Sequence, residues 1–451
     1  MMVDTQQIPG RMSKGPGDEV TREEAIRNGI IQRELANGLS VFVKEAHAAP
    51  VASFWAWYRV GSRNEHVGVT GISHWVEHML FKGTPAFPKG VAEKAIAREG
   101  GAFNGATSHD FTTYFATLPA TRIELALRIE ADRMQNASFD PREVDAERTV
   151  IISERQGAEN SPEFLLNEEV MGAALRVHPY GDPTLGHMCD LKAITRRQLY
   201  DHYRSYYVPN NALVVAVGDF DGEAMLALIE DHFADAPRGD DVPPVTAVEP
   251  PQRGERRVEV RREGFVPYLR MAFQAPPVLD PDFFSLAVLN AILTGASAMT
   301  FMGGGLSNKS CRLYQALVAE ELAVDVSGFL LPAVDPFPYT LSVVVRPDRE
   351  PAEVEEALER ELKQVMNDAV TEEEVNKAIK QAQAQFAYSS ESVTGQALWL
   401  GFTEIFADHT WSDTYLENLR AVTVEDVRHV AQSVLSRSNR TVGWYIPTND
   451  Q

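Results

Sequence analysis

Cysteine is almost missing from this chain: Cys189 and Cys311 are the only two in 451 residues. Two distant thiols cannot build a disulfide framework and lack the spacing of a metal site, so both are expected to be inert packing residues. Long apolar runs are also missing. No stretch of about 18 apolar residues occurs, so no membrane span and no membrane partner are expected. Basic residues are in deficit, with 42 Lys and Arg against 64 Asp and Glu, a formal charge of −22. Such a surface repels phosphates, which excludes nucleic acid as an expected partner and leaves basic peptides compatible. The polar residues 1–28, with Pro9, Gly10, Gly15, Pro16 and Gly17, lack the apolar core of a signal peptide. The expected location is cytoplasmic, or periplasmic if a leader was removed.

What remains is a globular composition, 44% hydrophobic and 24% charged. The length exceeds one core, so two domains of about 200 residues each are expected. Histidine is scarce, 11 in all, yet two lie four residues apart in Gly71-Ile-Ser-His-Trp-Val-Glu-His-Met-Leu80. Read as a helix, this stretch places Ile72, Trp75, Val76, Met79 and Leu80 on one apolar stripe. His74, Glu77 and His78 fall roughly opposite. Two imidazoles at i and i+4 can grip one Zn²⁺, and a carboxylate on the same face can reach the water beside it. The order H-x-x-E-H is the inverse of the commoner zinc-protease signature. Two surface histidines would give the same string, and the motif leaves the third ligand unnamed.

In chain order, residues 1–28 form an arm, and 29–235 a first domain carrying the motif. Residues 236–257, rich in Pro, charge and Gly, form a linker, and 258–451 a second domain. The first domain opens with a hairpin turning at Asn37-Gly38 and the apolar strand Val51–Val60. The helix Lys89–Arg98 follows the motif and stops at Gly100-Gly101. The segment 102–118 has strand composition, and a strand with a free edge can add a peptide by main-chain bonds. An interior hairpin without a binding role fits the composition equally. His109 reads as a turn residue; His178 and His187, without local partners, read as structural. The half closes with the helix Arg196–Tyr206, the buried-looking strand Ala212–Val217 and the helix Gly222–Ala234, and before them come two further helices, Thr121–Met134 and Arg142–Ala158. In the second, Glu147, Val150, Ile151 and Glu154 share a stripe expected to be buried. A buried carboxylate needs a partner or shifts its pKa, and a metal ion would serve. Spacing cannot choose between Glu147 and Glu154 as ligand.

The second domain echoes the first, with strands Tyr268–Gln274, Thr340–Val345 and Thr441–Ile446 and helices Asp280–Leu293, Ser310–Glu321, Pro351–Asn367 and Thr371–Phe386. The helix Asp280–Leu293 carries no metal ligands. Gly303-Gly-Gly-Leu-Ser-Asn-Lys309 lacks the spacing of a phosphate-binding loop and reads as a helix lead-in.

Several segments together resemble the M16, or pitrilysin-type, zinc metallopeptidases, and within them the short subfamily that includes the mitochondrial processing peptidase β subunit. They are Gly61-Ser-Arg63, Gly71 to Thr84, Glu130-Ala-Asp-Arg133, Glu147 with Glu154, His178-Pro-Tyr-Gly181, Pro209-Asn-Asn211 and Ser310-Cys-Arg-Leu-Tyr314. The resemblance implies an α+β protein of two similar α/β halves. Each half would be a mostly antiparallel sheet with helices packed on one face, and the two would enclose a chamber. It implies Zn²⁺ on His74, His78 and Glu154, with Glu77 as general base and Glu147 as a supporting carboxylate. Substrate would lie along the strand holding Phe103, Asn104 and Gly105, where Gly105 stands in place of the family's usual Ala. Relatives that work alone carry an Arg and a Tyr seven residues apart after the Arg-Leu-Tyr segment. Here the nearest matches are Val318 and Val324, and Arg312 and Tyr314 have the wrong spacing. The expectation is a zinc-bearing peptidase subunit completed by a homologous Arg/Tyr-bearing chain in a heterodimer, or pairing with itself in that chain's absence. The alternatives are a non-catalytic scaffold and a peptide-binding subunit of the same fold.

Overall fold

A computed structural model describes residues 29–296, 299–300, 309–367 and 370–448. The N-terminal arm and most of the Gly303–Lys309 loop lie outside the described residues. In the first half the elements are β1 (Ile30–Glu34), β2 (Ser40–Glu45), β3 (Val51–Tyr58), α1 (Ile72–Leu80), α2 (Val91–Arg98), β4 (Ala102–Thr107), β5 (Thr112–Pro119), α3 (Glu124–Asn136), α4 (Pro141–Ala158), α5 (Pro162–Ala174), α6 (Met188–Ala193), α7 (Arg196–Tyr206), β6 (Ala212–Gly218) and α8 (Gly222–Phe233). The second half has β7 (Arg256–Glu263), β8 (Tyr268–Phe273), α9 (Asp282–Thr294), β9 (Ala323–Phe329), β10 (Tyr339–Val345), α10 (Pro351–Asn367), α11 (Glu372–Ser389), α12 (Val393–Phe406), α13 (His409–Ala421), α14 (Val424–Val434) and β11 (Arg440–Thr448). β7 begins at Arg256, inside the span read as linker.

The first sheet has the order β1-β2-β6-β3-β5-β4 and the second β7-β11-β8-β10-β9. Removing β1 leaves the same permutation in both. In each, only the pair formed by the first strand and the last is parallel (β2 with β6, β7 with β11). This shared topology is the duplication that the sequence outlined. The chain is therefore α+β, built of two similar halves with mostly antiparallel sheets.

Helices α1, α3 and α8 pack on one face of the first sheet, and α9, backed by α11 and α14, on the second. The opposite faces are covered by an exchange. α12 from the second half lies on β3 and β6, and α5 from the first half lies on β7, β8 and β11. Strands covered on both sides need apolar residues at successive positions. β6, Ala-Leu-Val-Val-Ala-Val-Gly, is buried throughout, and β3 is buried from Ala52 to Tyr58.

The exchange is tight at two glycines. A Cβ on Gly401 of α12 would stand 2.1 Å from Trp57 Nε1, and one on Gly443 of β11 would stand 2.2 Å from Val170 of α5. Gly401→Ala should therefore destabilise the fold by roughly 1–3 kcal/mol through overpacking, read as a lower urea midpoint at unchanged slope.

Several local readings differ from the sequence-based expectation. Val150 is 42% exposed although it sits between Glu147 and Ile151, which are buried. On that turn of α4 Ile151 faces the core and Val150 faces out. Cys311 is buried as expected, but Cys189 is exposed, so it is not a packing residue. The 310–321 span is a short helix whose turns over Tyr314–Ala319 widen to π hydrogen bonding. Among the described residues no helix is long and apolar enough to cross a membrane.

Candidate metal centre

The helix α1 forms as its pattern dictates. Ile72, Trp75, Val76, Met79 and Leu80 are at most 3% exposed. Each contributes on the order of 1.5–3 kcal/mol by leaving water. Its start is fixed by the chain around it. Gly71 precedes the helix at φ 84°, and a Cβ there would meet Leu185 O at 2.8 Å, so the left-handed turn requires glycine. Glu65 accepts the backbone N–H groups of Gly71 (2.7 Å) and Ser73 (2.8 Å), satisfying orphan donors of the first turn. Burial pushes the Glu65 carboxyl up to about 7 against those two bonds. Asp190 of α6 holds the approach by accepting from Gly68 N, Thr70 N and Thr70 Oγ1.

On the opposite face of α1 the rings of His74 and His78 lie 4.6 Å apart. Glu154 of α4 brings Oε2 to 3.7 Å from His74 Nε2 and 3.6 Å from His78 Nε2. These gaps exceed a hydrogen bond. They approach the edge of a tetrahedron with zinc bonds of about 2.1 Å, roughly 3.4 Å. The three side chains are the cluster whose ligand atoms all lie within 4.8 Å of one another. Burial, then repulsion from His78, pushes the His74 pKa down to about 3, so its imidazole is neutral and has a lone pair to give. Its buried Nδ1 has no hydrogen-bond partner among the described residues. The donor set of two imidazoles and one carboxylate, with room for a fourth ligand, fits Zn²⁺.

Glu147, buried on α4, accepts a bond from His78 Nδ1 (2.8 Å) and pairs with Lys82 Nζ at 2.5 Å. Burial acts to raise its pKa, but the bonds from His78 and Lys82 outweigh it and hold the carboxyl below its usual range. Burial likewise opposes charge on His78, yet Glu147 and then Glu154 leave its pKa raised. Glu147 thus orients the ring whose other nitrogen faces Glu154. Glu147→Gln should weaken zinc binding about 10–100-fold, measured by competition with a chelator.

Glu77 is 8% exposed, and burial raises its pKa. Thr107 Oγ1 donates to its Oε2 at 2.6 Å and fixes the carboxylate. Thr107 ends β4, which among the described residues pairs only with β5 and so leaves one edge free there. Phe103, Asn104 and Gly105 lie on that strand, half-buried or exposed. A Cβ on Gly105 would come within 3.2 Å of Glu77 Oε1 and 3.0 Å of the Tyr114 ring, so glycine keeps the base uncrowded. Beneath them Arg133 lies 3.8 Å from the centre of the Tyr114 ring and 5.0 Å from that of Phe103, while its guanidinium is bound in a fork to buried Glu130.

The histidines read as structural are paired away from this cluster. His178 bonds Asp335 (3.1 Å) across the two halves, and half-buried His109, read as a turn residue, bonds Ser62 (2.7 Å). His187 lies between Asp182 (2.9 Å) and Glu168 (3.6 Å), whose bonds raise its pKa to about 10. A histidine with a raised folded-state pKa adds stability that is full below its ordinary 6.5 and is lost as pH rises through 10. The thermal midpoint should fall between pH 7 and 10 more in the native chain than in His187→Asn. Arg312 is bound in a fork by Glu374, and Tyr314 packs on the second half's core. Val324 is 60% exposed on β9.

Sequence reasoning missed Glu65, Asp190 and Thr107. The only signal for Thr107 was its place at the end of the strand after the motif helix.

A duplicated α/β scaffold with an H-x-x-E-H helix beside a free-edged strand has the build of an inverted-motif metallopeptidase. Residues 40–187 match the family model described as insulinase (peptidase family M16), and residues 193–382 the one described as peptidase M16 inactive domain. The chain belongs to the M16 family. It is 30% identical over 301 residues to the zinc protease PqqE of Helicobacter pylori, covering 66% of this chain and 68% of that one. It is 26% identical over 411 residues to the mitochondrial-processing peptidase subunit beta of Lentinula edodes, covering 89% and 86%. The crystal structure of a protease from Helicobacter pylori superposes with a TM-score of 0.87 at 25% identity, covering 93% of this chain and 99% of that one.

Proposed function

We propose that the chain is the zinc-bearing subunit of a peptidase that hydrolyses peptides or unstructured polypeptides. The observation that carries this reading is the convergence of His74 and His78 on Glu154 of a distant helix, with buried Glu77 on the same face of α1. His74, His78 and Glu154 would hold Zn²⁺, which supplies Lewis acidity toward a water and a peptide carbonyl. The free edge of β4 receives the substrate main chain as an added strand. Glu77, its Oε2 fixed by Thr107, takes the proton from the attacking water on its carboxylate and returns it to the leaving amine nitrogen. Its raised pKa makes it a stronger base than an exposed glutamate. Glu147 keeps the His78 ring in place throughout.

We further propose that a homologous chain supplies an Arg and a Tyr to the carbonyl oxygen of the substrate. The absence of such a pair in the sequence after Tyr314 supports this, as does similarity to a relative named as a subunit. The purified chain should contain about one zinc and cleave a quenched unstructured peptide slowly, accelerating when the Arg/Tyr-bearing chain is added. Robust turnover by the chain alone would remove the partner requirement. A chain without stoichiometric zinc would instead be a scaffold, and zinc with binding but no cleavage, partner present, would leave a peptide-binding subunit.

A further inference from the structure

A cavity of about 560 Å³ lies between the halves. Thr107, whose hydroxyl holds Glu77, forms part of its wall, so it opens beside the proposed base. Phe164, Met171, Leu331 and Phe337 make much of the lining apolar. Two carboxylates also line it, and each already has a cationic partner: Arg155, which also bonds Glu159, bonds Glu168 (2.7 Å), and His187 bonds Asp182 (2.9 Å).

The cavity's cation has no such answer. Arg270, half-buried on β8, donates Nε to Ser342 Oγ at 3.0 Å and Nη1 to the Asn167 side-chain oxygen, both neutral acceptors. No carboxylate pairs with it among the described residues, and its Nη2 has no bonded partner there. Burial lowers its pKa, and Glu163 opposes this only through space. An arginine withdrawn from water without a counter-ion is costly to folding unless something else meets its charge. Its fork matches a carboxylate, and the apolar walls strengthen that attraction by excluding water.

We infer that this cavity is a substrate subsite that takes a carboxylate of the peptide together with an adjacent apolar side chain, with Arg270 as the contact that sets the preference. Its role in substrate choice rests on the peptidase reading above. The carboxylate can be an Asp or Glu side chain or the peptide's own C-terminus. The chain as a whole carries −22, so a single arginine in this cavity would select for one charged position rather than for acidic peptides in general.

The test uses full-length, zinc-loaded Glu77→Gln chain, so that no peptide is consumed, and fluorescent peptides followed by anisotropy. One glutamate is moved along an otherwise neutral, apolar sequence, with glutamine controls and with free or amidated C-termini. At one position the Glu peptide should bind about tenfold or more tighter than its Gln control, the size of a charge-assisted bond. If the carboxylate is the terminal one, amidation produces that loss instead. Adding Arg270→Gln should erase the difference. Asn167→Asp, which keeps Arg270 and gives it an internal counter-ion, should erase it too, and covers a misfolded Arg270→Gln. Equal binding of all peptides, or a preference that survives both substitutions, would overturn the inference. Cleavage by the native chain with its partner is scored separately. Its failure beside an intact binding preference would sink the peptidase reading and leave the carboxylate site standing.

Discussion

Glu77→Gln should lower peptide hydrolysis by about 10²–10⁴-fold while leaving zinc content unchanged. The amide is nearly isosteric and can still accept from Thr107 Oγ1 through its carbonyl oxygen, so the 2.6 Å bond that fixes the native side chain has a successor. The amide cannot take a proton from water, so only the chemical step is lost. Stability should hold or rise slightly, because burial already disfavours the charge on Glu77. The measurement is kcat on a quenched peptide, with zinc by elemental analysis and the thermal midpoint alongside. Retained turnover would remove Glu77 as the base and leave the metal reading untouched.

His78→Ala should act on both. It deletes one of the three facing donors and strands Glu147, which then keeps only Lys82 as its strong partner. Zinc should fall from about one per chain to near zero, and hydrolysis should vanish with it. The native chain should gain thermal stability on adding zinc, because an ion bound by the folded state alone shifts the equilibrium by mass action. The variant should gain none. A zinc-dependent rise that persists in His78→Ala would place the ion elsewhere. Because Glu147 is buried, its carboxylate would retain one partner of two, and the variant should also melt lower than Glu147→Gln.

Much of this was legible in the sequence for local reasons. The period of α1 is an arithmetic property of five apolar residues, and it places His74, Glu77 and His78 on the other face whatever surrounds the helix. β6 reads as buried because its residues are apolar one after another. The stripe on α4 was misread in part. Glu147 and Ile151 are buried there, but Val150 is exposed and the Glu154 side chain is 42% exposed. Periodicity names a stripe, and only the neighbours of the helix decide how much of it is covered.

The choice between Glu147 and Glu154 was likewise beyond spacing, since both lie on one side of α4. In the fold, Glu154 faces both imidazole Nε2 atoms, whereas Glu147 meets His78 Nδ1 from behind. The exchange of α5 and α12 left no mark in composition. An apolar helix reads alike whichever sheet it covers, and the glycines that admit the crossings, Gly401 and Gly443, become meaningful only beside Trp57 and Val170.

By itself the sequence determined the donors, because residue type and a helical repeat are properties of ten consecutive positions. It also determined the doubling of the architecture, because each half repeats its run of strands and helices. Tertiary structure alone decided which distant carboxylate faces the histidines, that Thr107 holds the base, and that Arg270 meets a cavity without a counter-charge. These are meetings of residues about 30 to more than 100 positions apart, and no rule of periodicity or propensity reaches across such a separation; packing and hydrogen bonding in the folded state do.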